Sequence, residues 1–450
     1  MFSRAPQTEA KMKTNRTLSR RQFLLIGGTA LTGGALAHGA RPRSTGAAPA
    51  VGRKVKLQWI EWITPEISEQ KMQEVLNAFY ASEAGQHIEI ERLSMPYAQV
   101  HDKIVALHLA GQVPDVLNMN APWSVEFAEQ GILEPLTPYL EKAGKNWVAN
   151  LVKGPMQPWK GTVYLVPLTS IPFLLYYNEK KLEDAGLSGP PRTWADIEAM
   201  GPKLTVPAKN TYCYASGMAA TSPYNGCSIE IFPLIYQSND MVLKNGKANL
   251  NSPAAVKALK FWLKLVYDLK IYAPGVLTNI EKDKVEAFGA EQTALMWSNV
   301  AHVTVVEQRN PKLKFGLAPL PSGDTFGTIL TGWNTSMARN GKNKEAAWQF
   351  VSWLAGPEGN ARMALAAKHL PANTKADVSA LFTRDPRLKV PLEILAKGRV
   401  FLETAAMPKV TDLFRILVEQ IHEAATKRKT PEQALDFATA EWNKVIAQVG

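Results

Sequence analysis

Signatures of catalysis are missing from this chain. It has no G-x-S-x-G elbow, no G-x-x-x-x-G-K-[ST] loop, no H-E-x-x-H pair and no G-x-G-x-x-G turn after a strand, which withdraws support from the common hydrolase, nucleotide, zinc-protease and dinucleotide readings. Cysteine is scarce: Cys213 and Cys227 stand alone, without C-x-x-C spacing, so redox and structural-zinc readings fail and one disulfide or two buried free thiols remain open. The histidines are scattered, and only His101 and His108 share a helix face, two ligands without a third. No metal or other cofactor is expected. Carboxylates are plentiful but no local motif pairs them, which neither supports nor excludes a glycosidase.

Long apolar runs are also lacking. The best, residues 23–37, is 15 residues long with four glycines, shorter than the roughly 20 apolar residues a spanning helix needs. Two arginines, Arg20 and Arg21, precede it and an A-x-A end follows, the plan of a cleavable export signal. The pair followed by Phe23 and Leu24 resembles the twin-arginine signature, although paired arginines also suit an ordinary secretory leader. Residues 1–50 are therefore expected to be an export signal and linker. They hold eight Lys and Arg against one acid, a net of +7, which leaves only +4 of the chain's +11 for the remainder. The pI of 9.4 thus belongs largely to the leader, and a nucleic-acid partner is not expected.

The remainder alternates strand and helix. "VKLQWI" reads as a strand, Met72, Val75, Leu76 and Phe79 repeat at helical spacing, "HIEIE" alternates, Val100, Ile104 and Leu107 mark a second helix, and "DVLNM" closes a βαβαβ unit. A second α/β block follows, with a long extended run at 164–178, Thr193 capping a helix, Pro253 just inside another and a capping box at Thr430 and Gln433. The fold class expected is α/β, two lobes, each a mainly parallel sheet flanked by helices. All 12 tryptophans lie after residue 50. Trp62, Trp123, Trp297 and Trp333 sit where strands end, positions from which an indole can cover the apolar face of a sugar.

In common order and spacing, "ALHLAGQVPDVLNMN" with "AEQGILEPLTPYL", "VYLVPL" before "LLYYNEKKLEDAGLSGPPRTWADI", "AFGAEQTALMWSN", "FGLAPLPSG", "NGKNKEAAWQFVSWLAGPEGNARMA" with "LPANT", and "DPRLKVPLEILAKGR" with "TPEQAL" resemble the extracellular solute-binding proteins of ABC importers, in the branch of maltose- and other sugar-binding proteins. The resemblance implies the type II periplasmic-binding-protein fold, with a ligand cleft between hinged lobes. Lobe one would be 54–170 plus 332–382, lobe two 172–328 plus 386–450, with crossings near 170–173, 328–331 and 383–386. It further implies a periplasmic monomer that does not span the membrane, binds a mono- or oligosaccharide and delivers it to the permease subunits. Its ligand positions fall on Glu61, Trp62 and Glu66 after the first strand, Asn120 and Trp123 after the third, Tyr224 in "SPYNG", Trp297 and Asn299 in "MWSN", Trp333 in "TGWNTS", and Phe414. The "MWSNVAHV" stretch departs from the family's glycine-tryptophan pattern, so Trp297 as the stacking ring and Asn299 as the hydroxyl contact is a hypothesis.

Two other readings stand beside this one. The same fold would serve a metal chelate, polyamine or glycerol phosphate derivative, and adjacent Tyr176 and Tyr177 superficially suggest iron; a strand would point them to opposite faces. An exported carbohydrate-active enzyme would turn its ligand over.

Overall fold

The computed structural model describes residues 54–222, 226–402, 405 and 407–448. The expected export signal and Tyr224 lie outside these residues. The first sheet joins β1 (Val55–Glu61), β2 (Ile88–Ser94), β3 (Val116–Met119), β4 (Val166–Pro167) and β11 (Asn334–Met337), in the order β2-β1-β3-β11-β4. β1 runs parallel to β2 and β3, as crossover helices demand, and β11 returns antiparallel between β3 and β4. The helix Glu69–Ala81 buries Met72, Val75, Leu76 and Phe79, with the Phe79 ring 4.9 Å from Phe350 and 5.2 Å from Trp353. The sheet is complete only when a segment more than 200 residues away inserts: Asn118 Nδ2 donates to the Asn334 carbonyl at 2.8 Å.

The second sheet is organised by one strand, β5 (Thr169–Asn178), and is mainly antiparallel rather than mainly parallel as expected, because the four strands that pair with it all run against it. Its first residues pair with β12 (Leu370–Pro371) and β10 (Thr328–Thr331), its last with β8 (Leu295–Asn299) and β9 (Phe315–Ala318); β13 (Val400–Phe401) lies parallel to β10. A separate hairpin holds β6 (Leu243–Lys244) and β7 (Lys247–Ala248). Thr331 pairs with Ile171 and Leu330 with Pro172, so the two strands on which crossings are expected run side by side as antiparallel neighbours. Leu151 bridges Asn373, and Val378 and Leu381 share a core with Ala364, Phe288 and Val303.

The second core gathers Phe232, Trp262, Leu413, Phe414 and Trp442. Phe414 is therefore not at a cleft: it is fully buried on the apolar face of the helix Val410–Ala425, edge-on to Phe232 at 5.5 Å. Cys213 and Cys227 are both free and fully buried, so no disulfide joins them. Cys227 lies on a π-helical turn, its Sγ 3.4 Å from the Phe414 carbonyl oxygen, and burial pushes both thiols well above their ordinary range. Tyr176 is fully buried and donates to the Asn299 carbonyl at 2.7 Å, while Tyr177 is partly exposed on the other face. Strand pleating thus separates the two phenols.

Candidate functional site

A cleft of about 640 Å³ opens where the two sheets meet, within the range of small-molecule sites. Ile171, Phe173, Thr331 and Gly332 of the crossing strands form its floor. Gly332 is needed there, since a Cβ would lie 2.2 Å from the Thr169 carbonyl oxygen.

The first lobe contributes the loop after β1. Glu61 does not reach the cleft: it is fully buried, its Oε2 accepts from Thr64 N at 2.8 Å, and its Oε1 accepts from Thr64 Oγ1 at 2.7 Å and from Ser94 Oγ. Its work is to fold the short helix Ile63–Ile67 back so that Trp62 and Glu66 border the cleft. Ser68, between that helix and the next, has φ 106°, a conformation L-residues adopt only under constraint, and it lies on the cleft wall. Trp333 donates from Nε1 to Glu66 Oε2 at 3.1 Å.

Trp123 stands behind the wall. It stacks on Tyr97 with ring centres 5.4 Å apart and meets Trp62 edge-on at 5.5 Å, while Tyr97 itself lines the cleft with 40% of its surface exposed. Asn120, also on the wall, donates from Nδ2 to the Tyr97 hydroxyl at 2.6 Å. These three rings form one platform of which Tyr97 is the open face, a residue that sequence pattern does not single out because a lone Tyr at a helix start has no periodic signature.

The second lobe contributes Glu281, Asn299, His302 and Val305. Asn299 borders the cleft, and its Oδ1 accepts from Ala301 N at 2.9 Å. Trp297 does not line the cleft; it is 3% exposed, donates to the Tyr214 hydroxyl at 3.2 Å and belongs to the second core. The strand β8 carries its apolar residues inward and surrenders only its last residue to the cleft.

Of the expected positions, Trp62, Glu66, Asn120, Asn299 and Trp333 are thus brought together, and Tyr97, Glu281, His302 and His369 join them. Ser298 Oγ lies 2.6 Å from His302 Nδ1 and Glu281 Oε1 lies 3.9 Å from that same nitrogen. A hydrolytic triad needs its serine and carboxylate on opposite ring nitrogens, and Ser298 is fully buried. The three residues therefore do not form one.

Enclosure by the cleft walls pushes the Glu66 carboxyl up to about 7, against the Trp333 bond and with help from the Glu61 charge. More than a third of its surface still meets cleft water, which screens the effect. His369, 2% exposed with its ring 4.6 Å from Trp333, is held down to about 3 by burial and then by His302. The signs are opposite. Glu66 favours the fold in acid and loses that contribution as pH rises from 4.5 towards 7, whereas His369 favours it above 6.5 and loses it as pH falls towards 3. His369→Gln is accordingly expected to flatten the acid loss of stability, read as urea midpoints across that interval; curves parallel to the parent's would refute the assignment.

Residues 64–361 match the bacterial extracellular solute-binding protein family. A binding protein of Brucella abortus (strain 2308) is 23% identical over 381 residues, covering 83% of this chain and 89% of that one. Among solved structures, the ABC transporter solute-binding protein of Thermotoga lettingae TMO bound with alpha-D-tagatose superposes with a TM-score of 0.75 at 21% identity, covering 87% of this chain and 99% of that one. Maltose-bound MalE3 of T. maritima superposes at 0.71 with 25% identity, covering 86% and 98%. With a two-lobe α/β architecture, a cleft floored by the crossing strands and a match over most of its length, the chain belongs to the bacterial extracellular solute-binding protein family.

Proposed function

We propose that the protein is the extracytoplasmic binding component of an ABC importer, exported through its twin-arginine-type leader to the periplasm, where it captures a mono- or oligosaccharide between its lobes and hands it to the permease subunits as a monomer. The observation that carries this reading is the cleft itself, which sets the open ring of Tyr97, with Trp62 and Trp333 at its border, beside oriented polar groups from both lobes. Rings cover sugar C–H faces and amides and carboxylates take hydroxyls. Contacts from both lobes let a ligand favour the closed form, which a permease can then distinguish from the open one. The sugars named for the two structural neighbours support the same class. Among the described residues no helix is long and apolar enough to cross a membrane.

A phosphorylated ligand fits less well, because Glu66 and Glu281 give the cleft the wrong sign. Those two carboxylates are also what a glycosidase would require, and the binding reading requires that they leave the sugar unchanged. Titration with a panel of mono- and oligosaccharides is expected to shift tryptophan fluorescence and, at about 100 times the dissociation constant, to add about 2.7 kcal/mol of stability, a rise of a few degrees in melting temperature. Product formed by substoichiometric protein would replace this reading with an enzyme.

A further inference from the structure

The cleft is rich in acceptors and poor in cations. Glu66 comes from the first lobe and Glu281 from the second, and among the described lining residues the only lysine or arginine is Lys71. Its ammonium is tied to the Ala366 carbonyl at 3.0 Å. Burial pushes His302 below its ordinary value as it does His369, so neither imidazole offsets the carboxylates at neutral pH. The other cations near Glu281 are committed elsewhere: Lys284 faces Glu230 at 3.6 Å and Lys282 faces Glu286 at 3.9 Å.

Two buried polar atoms at the cleft lack partners. Glu281 Oε1 is shielded from solvent and accepts no hydrogen bond, and His369 Nδ1, on a side chain almost wholly buried against Trp333, has no hydrogen-bond partner either. A buried polar atom left unpaired is costly, which makes a ligand that donates hydrogen bonds the natural complement. These groups share neighbours. Glu66 and His369 both meet the Trp333 indole, and Tyr97, which lines the same cleft as both carboxylates, is pushed up to about 12 by enclosure, against the Asn120 bond, and then by the Glu281 and Glu66 charges. Tyr97, with 40% of its surface exposed, also supplies a ring face of the kind that attracts a cation.

We propose that the ligand is an amino sugar, or an oligosaccharide containing one, whose protonated amine docks between Glu66 and Glu281 from opposite lobes. This rests on the reading of the cleft as a saccharide site. An ammonium offers donors and no acceptors, which suits the unpaired Glu281 oxygen and the Glu66 carboxylate, and its charge favours the ionised form of Glu66 that enclosure alone disfavours. Because one carboxylate comes from each lobe, the same charge would draw the lobes together.

Calorimetric titration of the purified protein with matched sets tests this: glucosamine, N-acetylglucosamine and glucose; the galactose equivalents; and short chitosan against chitin oligomers, with spermidine alongside. The amine member of at least one set is expected to bind at least about tenfold more tightly than its acetylated and hydroxyl counterparts. Glu281→Gln is expected to erase that preference while the variant still melts cooperatively. A neutral member binding as tightly as the amine overturns the amine and leaves the saccharide reading standing. A response to spermidine with silence from every saccharide overturns the saccharide reading, and silence from all probes overturns both.

Discussion

Replacing Lys284 with methionine is expected to destabilise the protein by about 3–5 kcal/mol, because it strands a charge in the interior of the second lobe. Lys284 and Glu230 lie 3.6 Å apart with side chains 1% and 3% exposed. Lys284 Nζ has no hydrogen-bond partner, so Glu230 is its nearest compensation, whereas Glu230 also accepts from Gly217 N at 3.3 Å and from the Tyr272 hydroxyl at 3.5 Å. Burial pushes the Glu230 carboxyl up even with Lys284 beside it. Without the ammonium, Glu230 must either stay ionised in an apolar setting or take up a proton, and both options cost free energy. Replacing both residues by methionine is expected to recover most of the loss, since a buried pair exchanged for apolar side chains of similar size is often neutral. Urea unfolding of the two single variants and the double variant checks this; single variants within 1 kcal/mol of the parent would mean the interior relaxes or admits water.

Trp333→Ala is expected to weaken both the fold and the site. The indole is 5% exposed, and its loss from the first core should cost about 3–5 kcal/mol. Its backbone is pinned at the crossing: Trp333 N donates to Thr169 Oγ1 at 2.8 Å, and its carbonyl accepts from Leu168 N at 2.8 Å and Thr169 N at 3.1 Å. The ring is therefore aimed into the cleft by the junction itself, where it orients Glu66 and walls His369. Ligand affinity should fall by about 2 kcal/mol, roughly thirtyfold, as for a central anchor. Trp333→Phe separates the two effects: it keeps much of the packing and removes the Nε1 bond to Glu66, so affinity should drop more than stability. An unchanged dissociation constant in the alanine variant would remove the ring from the site.

Local pattern carried a large share of the architecture. Strand β1, the helix Glu69–Ala81 and the capping boxes at Thr193 and Thr430 lie where alternation, helical spacing and cap chemistry put them. Short-range effects write these features, because a strand pleat or a helix turn is decided by residues within a few positions. The same logic separated Tyr176 from Tyr177. The order of the motifs also carried the family, which the match over 64–361 supports.

What periodicity could not decide is which of two apolar environments a ring enters. Phe414 and Trp297 lie on apolar faces that meet the second core, whereas Trp62 and Trp333 lie on faces that also border the cleft. Glu61 resembles a ligand contact in sequence and proves to be a buried brace, because Thr64 and Ser94 converge on its oxygens only after β1 and β2 pair. Tyr97, Glu281 and His369, separated by up to 272 positions, become one surface only through the antiparallel meeting of β5 and β10 and the return of β11 into the first sheet. Residues close together in the chain set the elements, their order and the apolar stripe on each. Which polar atoms face each other across the cleft follows from the folded chain, since that depends on distances set by packing between segments far apart in the chain rather than on the spacing within any one of them.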